Sequence, residues 1–111
     1  MKDDKTYLEH ILDAIDKVSA YTVDGRDAFM ADTKTQDAVV RNFEIIGEAT
    51  KRLSTELREK YPDIPWKEAA AFRDVLSHDY MGIDLTIVWN VVGSHLSGLR
   101  ESVTAVLKEL P

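Results

Sequence analysis

The chain contains no cysteine among its 111 residues. It can therefore have no disulfide framework, no thiolate nucleophile and no cysteine-ligated zinc or iron–sulfur site. Long apolar runs are also missing, and none approaches the ~18 residues of a membrane span. The first residues lead into an amphipathic stretch and not into the apolar core of a secretion signal. We therefore predict a single domain over 1–111, without a membrane segment, in the cytoplasm.

Basic residues are in the minority, because 14 Lys and Arg face 20 Asp and Glu and give a formal net charge of −6. This balance argues against a protein that binds nucleic acid through bulk charge. The acidity is concentrated in residues 1–32, with 4 basic and 8 acidic side chains, whereas residues 33–80 hold 8 and 9. A local basic groove within 33–80 stays open, with Lys51 and Arg52 among its candidates.

Most catalytic signatures are absent as well. The 5 glycines are scattered and form no phosphate loop, and neither a His-Glu-x-x-His nor a Gly-x-Ser-x-Gly motif occurs. The three histidines, His10, His78 and His95, are dispersed without ligand spacing, so we predict no metal site. His10 is interpreted as part of a solvated helix face, and His95 as a packing histidine.

Apolar residues recur at three- and four-residue steps, which is the period of amphipathic helices. The predicted helices cover 4–21, 27–31, 33–53, 65 to about 80, and 84 to about 110. We expect Thr33 and Gln36 to form a capping box, and Asp84 to cap the last helix. Gly47 predicts a close helix–helix approach, as do Gly93 and Gly98 in the last helix.

Four long helices with short connections predict an all-α fold, an antiparallel four-helix bundle with a short extra helix. The last apolar stripe continues for about 25 residues and aromatic residues cluster around Trp66, Phe72 and Trp89, so we expect more apolar surface than one small bundle buries. We therefore predict a homodimer through the face that carries the third and fourth long helices, since two-fold homodimers are the commonest oligomers. A monomer with a well-filled core is the alternative.

The segment Arg73–Tyr80 is where the sequence can carry chemistry. His78 lies five residues after Arg73, roughly 140° around a straight helix, so a meeting of the two requires the helix to fray. An arginine fork matches a phosphate, and an imidazole exchanges protons near neutral pH. Together they suffice for metal-free RNA cleavage, in which the histidine activates the 2′-OH and the arginine stabilises phosphoryl charge. DNA lacks this hydroxyl and should be inert.

The same residues allow a purely structural interpretation. Arg73 could pair with Asp74 or Glu68, His78 could interact with a helix C-terminus through the dipole, and Tyr80 could be a rim aromatic. The residue types alone do not decide between the two interpretations.

The segment Arg73–Tyr80 resembles the Arg-x4-His-x-Tyr motif of HepT-like toxins, all-helical ribonucleases of the HEPN superfamily. The stretch 43–49, Phe-Glu-Ile-Ile-Gly-Glu-Ala, is similar to the second-helix signature of that family. The Pro65-Trp66 entry to the motif helix and the segment 84–89 after it are also similar. The resemblance covers nearly the whole chain.

The resemblance implies the toxin of a type VII toxin–antitoxin pair, a homodimer in which two copies of Arg73 and His78 form one RNA-cleaving cleft without a cofactor. It also implies a minimal nucleotidyltransferase antitoxin, which neutralises the toxin by transferring AMP to Tyr80. Asp74 stands where the family commonly has Asn, so it either supports Arg73 and His78 or repels RNA. The alternatives are a non-catalytic helical partner of a nucleotidyltransferase and a plain dimerisation module.

Overall fold

The computed structural model describes residues 2–75 and 82–111. Every regular element in these two ranges is a helix, which confirms the all-α prediction. The helices are α1 (Lys2–Tyr21), α2 (Arg26–Ala31), α3 (Thr33–Lys51), α4 (Thr55–Lys60), α5 (Trp66–Ala70), α6 (Phe72–Val75), α7 (Leu85–Ser94) and α8 (Leu96–Glu109). None of these described helices is long and apolar enough to cross a membrane.

The core forms where the apolar stripes of the helices meet around α3. Helix α3 packs against α1, α2, α5 and α6, while α8 packs against α1 and α7. The predicted stripe of α1 is buried, with Leu8, Ile11 and Val18 at 0% exposure. Burial of each such side chain contributes roughly 1.5–3 kcal/mol. Aromatic contacts also join distant parts of the chain, since the rings of Phe29 and Trp89 lie 5.4 Å apart.

The start of α3 differs from the predicted capping box. Asp32 is the N-cap, and its carboxylate accepts hydrogen bonds from the Lys34 amide at 3.1 Å and the Thr35 hydroxyl at 2.8 Å. Gln36 instead donates from Nε2 to two carbonyl oxygens in α2, both at 3.0 Å. The box predicted for Thr33 is therefore wrong, because the preceding carboxylate caps the helix and the glutamine satisfies the end of α2.

The predicted long helices are shorter than their apolar stripes. Helix α3 ends at Lys51 and not at Leu53, and Ser54 begins α4 by accepting a hydrogen bond from the Leu57 amide at 3.1 Å. The helix predicted from residue 65 breaks at Ala71, whose φ of −100° and ψ of 14° separate α5 from α6. The apolar stripe continues across these breaks because the flanking turns pack on the same core.

The helix predicted over 84–110 is interrupted at His95, between α7 and α8. The Ser94 hydroxyl donates to the Asn90 carbonyl at 2.7 Å. Such bonding to the residue four positions earlier often bends a helix. The prediction of one continuous helix is therefore wrong, although the N–H of His95 still bonds to the Val91 carbonyl at 3.0 Å.

The helical glycines separate into two kinds. A Cβ built on Gly47 would lie 3.1 Å from the carbonyl oxygen of Ala70, which confirms the predicted close approach and assigns it to α3 and α5. A Cβ on Gly93 or Gly98 would have no described atom within 4 Å. The close packing predicted for these two glycines is therefore wrong within the described chain.

A buried carboxylate ties the first turn of α1 to the start of α4. Asp4 is 3% exposed and accepts hydrogen bonds from the Ser54 amide at 2.8 Å and from the Ser54 hydroxyl at 2.7 Å. The same hydroxyl accepts from the Leu57 amide. One carboxylate thus fixes the cap of α4 and places the N-terminus of α1 at the C-terminal end of α3.

Candidate functional site

Helix α6 is a single turn that carries two of the predicted site residues, Arg73 and Asp74. Phe72 precedes them, is 3% exposed, and packs edge-on against Phe43 of α3 with ring centroids 5.3 Å apart. Asp74 lies about 200° around the helix axis from Phe72 and is exposed. Burial of the phenylalanine therefore anchors α6 on α3 and leaves Asp74 at the surface.

Asp74 lies on a cleft of about 360 Å³ between α3 and the α5–α6 pair. We call it the motif cleft, and its lining residues are Arg41, Glu44, Gly47, Glu48, Lys51, Ala70 and Asp74. Gly47 permits the approach of α5 because it has no side chain to meet the Ala70 carbonyl. The predicted signature 43–49 thus has a physical role: it supplies the ring under α6, the glycine against α5 and two carboxylates of the cleft.

The described side chains of the motif cleft have an acidic excess. Two basic side chains, on Arg41 and Lys51, face three carboxylates. Arg41 Nη1 lies 4.0 Å from Glu44 Oε1, and Lys51 Nζ lies 3.6 Å from Glu48 Oε1. Exposed pairs of this kind contribute only about 0–1 kcal/mol, so either cation can exchange its carboxylate for another anion at little cost. The cleft itself is not the basic groove that the sequence left open.

The chain returns to the same part of α3 after the motif segment. Gly82 has a φ of +95°, in the left-handed region that favours glycine. Asp84 then caps α7 by accepting from the amides of residue 86 at 2.9 Å and residue 87 at 3.2 Å, which confirms the predicted cap. Ile83 lines a cleft of about 170 Å³ that shares Arg41 and Glu44 with the motif cleft. Asp74 in α6 and Ile83, which follows Arg73–Tyr80 in the chain, therefore adjoin one stretch of α3.

Of the four predicted site residues, Arg73 and Asp74 lie in α6, whereas His78 and Tyr80 lie outside the described residues. The predicted convergence of Arg73 with His78 therefore stays a prediction. Glu48 is exposed and lines the motif cleft. It does not pack in the core. Across residues 2–75 and 82–111, no three His, Asp or Glu side chains group closely enough to hold a metal ion.

His95 is exposed and is not the packing histidine that we predicted. Its Nδ1 lies 2.6 Å from the Ser94 hydroxyl oxygen. The same hydroxyl also donates to the Asn90 carbonyl at 2.7 Å. His95 lines a hollow of about 210 Å³ with Glu68 and Phe72.

A second cleft continues from the motif cleft across α3. We call it the α1–α3 groove; it has a volume of about 270 Å³ and shares Arg41 and Glu48 with the motif cleft. Its other lining residues are Tyr7, His10, Ile45, Ala49 and Arg52. The prediction that His10 lies on a solvated helix face is confirmed. Its place beside this groove was not predicted, because the spacing along one helix does not reveal what the neighbouring helix supplies.

Comparisons with known proteins agree on one family. The family model described as "Ribonuclease HepT-like" matches residues 11–106. A Methanocaldococcus jannaschii protein named "Gamma-glutamylcyclotransferase and putative RNase" is 47% identical over 98% of this chain, and the chain spans only 50% of its length. The "Probable ribonuclease HepT" of Thermococcus cleftensis is 40% identical over 86% of this chain and 88% of its own. A "Putative RNase" of Caldanaerobacter subterraneus is 38% identical over 98% of both chains. No solved structure is a significant match.

Proposed function

Because this chain belongs to the HepT-like family of ribonucleases, we propose that it is a metal-independent endoribonuclease and the toxin of a type VII toxin–antitoxin pair. One observation carries the proposal: the motif segment Arg73–Tyr80 begins in α6 beside the motif cleft, and the chain after it returns to the same stretch of α3. A strand of RNA that lies in this cleft has its phosphate within reach of the motif.

The proposed reaction uses the arginine and the histidine of the motif. The imidazole of His78 takes the proton of the 2′-OH, and the hydroxyl oxygen attacks the adjacent phosphorus. Arg73 stabilises the negative charge on the phosphoryl oxygens. The bond from phosphorus to the 5′-oxygen breaks, the leaving oxygen takes up a proton, and a 2′,3′-cyclic phosphate remains. DNA is not a substrate because it lacks the attacking hydroxyl.

We further propose that residues 1–111 form a single domain, an antiparallel four-helix bundle, that pairs into a homodimer. The contact between Asp4 at the start of α1 and Ser54 beyond the end of α3 supports an antiparallel α1–α3 pair. In the dimer, two copies of Arg73 and two of His78 form one composite cleft. The two arginines concentrate positive potential locally, which allows an acidic protein to bind RNA.

Asp74 has a supporting role in this proposal. It is exposed in a cleft that already carries two glutamates, so its charge opposes a phosphate at the same time as it attracts Arg73. We expect Asp74→Asn to bind RNA more tightly and to change kcat less than a substitution of either catalytic residue. Cleavage kinetics that separate KM from kcat measure the two effects.

The first test of the activity is cleavage of single-stranded RNA by the purified protein in the presence of a metal chelator. We expect a cyclic-phosphate product from wild type and none from His78→Ala or Arg73→Ala, with circular dichroism showing the fold intact. Arg26→Ala is the matched control for Arg73→Ala, since it removes an exposed guanidinium at the start of α2 that is not among the described residues lining the motif cleft. Equal cleavage by wild type and His78→Ala would refute the assignment.

The proposed antitoxin is a minimal nucleotidyltransferase that transfers AMP from ATP to the Tyr80 hydroxyl, with release of pyrophosphate. The attached phosphodiester places negative charge and bulk where an RNA phosphate binds, and so blocks the substrate. Co-expression with a minimal nucleotidyltransferase should add an adenylate mass to the peptide that contains Tyr80, and Tyr80→Phe should abolish the addition. An adenylate on another peptide would refute this part of the proposal.

The acidic excess of the motif cleft favours one alternative, a non-catalytic helical partner that only scaffolds a nucleotidyltransferase. The two proposals differ in the behaviour of the protein alone. A scaffold forms a tight complex and cleaves no RNA, whereas a toxin arrests growth when expressed without its partner. Growth assays of wild type, Arg73→Ala and His78→Ala, each with and without the adjacent gene, separate them.

A further inference from the structure

We propose that the α1–α3 groove holds the single-stranded RNA next to the cleavage site, with Arg41 and Arg52 on its phosphates and the His10 ring, which Tyr7 holds edge to face, stacked on a base. The inference rests on the proposed ribonuclease activity and adds the RNA-binding residues outside the motif. It starts from the geometry of two neighbouring clefts. The motif cleft and the α1–α3 groove share Arg41 and Glu48, so a strand that leaves one enters the other.

The net charges of the described side chains that line the two clefts differ in sign. The described side chains of the motif cleft comprise two cations and three carboxylates, whereas the α1–α3 groove has two arginines against the single carboxylate of Glu48. Glu48 is also paired with Lys51 at 3.6 Å. Binding of single-stranded nucleic acid depends on cations that neutralise backbone phosphates. The groove, and not the motif cleft, therefore supplies the positive excess outside the motif.

The two arginines are placed for separate phosphates. Positions 41, 45, 48 and 52 repeat at three- and four-residue steps and so share one face of α3 and its C-cap. Arg41 and Arg52 are about 16 Å apart along the helix axis, from a rise of about 1.5 Å per residue. Arg52 is exposed and makes no ion pair with any residue of the described ranges. Its guanidinium is therefore available to a ligand.

The aromatic side chains form the opposite wall on α1. Tyr7 is half-buried against the core, which fixes its ring, and His10 is exposed one helical turn later. The two rings meet edge to face, with centroids 6.2 Å apart and planes at 76°. Stacking on tyrosine and histidine is a common way to hold unpaired bases, and it tolerates any base sequence. The cations on one wall can bind the phosphates of a single strand while the aromatic pair on the other wall contacts a base.

The test measures binding without cleavage. The probe is a fluorescein-labelled, 2′-O-methylated oligonucleotide, which keeps the phosphates and bases but lacks the attacking hydroxyl. We expect Arg52→Ala to weaken its binding roughly tenfold in an anisotropy titration, and to reduce the slope of log K against log salt by about 0.7. Arg26→Ala, at an exposed arginine that begins α2, is the matched control and should change neither quantity.

Substitutions of the aromatic residues on α1 should affect probe binding differently from Arg52→Ala. His10→Ala should weaken binding about fivefold or more and leave the salt slope unchanged, because a ring stacked on a base makes no phosphate contact. Tyr7→Phe should bind as wild type, and Tyr7→Leu should not. Unchanged affinity in both Arg52→Ala and His10→Ala would overturn the proposal. So would an altered oligomeric state of Arg52→Ala with unchanged affinity, since the groove would then contact a second copy.

Cleavage of unmodified RNA by wild type, run beside the titrations, separates this inference from the proposed function. Probe binding that depends on Arg52 without any cleavage supports the groove and refutes the nuclease. If wild type cleaves RNA, and neither the KM nor the binding of the probe changes in Arg52→Ala and His10→Ala, the nuclease is supported and the groove is refuted. No binding of the probe by wild type also refutes the groove.

Discussion

Gly47→Ala is the substitution for which the structure allows the clearest estimate. The new Cβ would lie 3.1 Å from the Ala70 carbonyl oxygen and 3.6 Å from that of Ala69. Ordinary van der Waals contact begins a few tenths of an ångström further out, so backbone must move. Alanine gains ~1 kcal/mol of helix propensity over glycine, whereas overpacking typically costs ~1–3 kcal/mol. We expect the free energy of unfolding to fall by roughly 0–2 kcal/mol.

The packing contribution can be isolated with Gly93→Ala and Gly98→Ala. Both glycines are helical, and a Cβ on either has no described atom within 4 Å. These two variants should therefore gain up to ~1 kcal/mol in the same assay. The difference between the Gly47 variant and the two controls is then the cost of moving α5 away from α3, about 1–3 kcal/mol.

The assay is urea denaturation followed by far-ultraviolet circular dichroism, with the oligomeric state of each variant checked by sedimentation. Gly47→Val should be far more destabilised, because its branched carbons meet the same carbonyl. If Gly47→Ala stabilises the protein as much as Gly93→Ala does, the close contact between α3 and α5 is not rigid. Gly47 would then not be the residue that positions the helix before the motif.

Two further predictions concern the caps. Asp4→Ala removes the acceptor for the amide and hydroxyl of Ser54 and should lower the free energy of unfolding by ~1–3 kcal/mol, whereas Asp4→Asn, which keeps one carbonyl acceptor, should lower it less in the same urea titration. Hydrogen bonds from the Thr35 hydroxyl first, and then from the backbone, hold the pKa of Asp32 below its usual 3.8. A carboxylate whose pKa is lower in the folded state stabilises the fold at pH values above its unfolded-state pKa, and this stabilisation is lost as the pH falls through its folded-state pKa. The melting temperatures of wild type and Asp32→Ala should therefore differ near neutral pH and converge in acid. A constant difference down to strong acid would contradict this assignment.

Much of the fold follows from patterns that are local in sequence. The apolar stripe of residues 7–18 predicts α1, and Asp84 predicts the cap of α7, because helix period and N-cap chemistry depend on neighbouring residues. Prediction of helix ends from the local sequence fails where two local signals compete. Asp32 prevails over Thr33 as the cap because its carboxylate is the better acceptor. The last helix is interrupted at His95, where φ is −115°, and an apolar stripe does not report such a break.

The candidate site likewise has features that the sequence alone predicts and features that only the tertiary structure determines. The motif Arg73–Tyr80, the glycine at position 47 and the family that they indicate can be identified from the order of residues alone, since each depends on residue type and spacing. Three features of the site join residues that lie tens of positions apart in the sequence. They are the acidic excess beside Asp74, the return of the chain to Arg41, and the pairing of Tyr7 and His10 with Arg52. Only the packing of α1, α5 and α6 against α3 brings these groups together, because side chains on different helices become neighbours through burial of a shared core and not through any local rule.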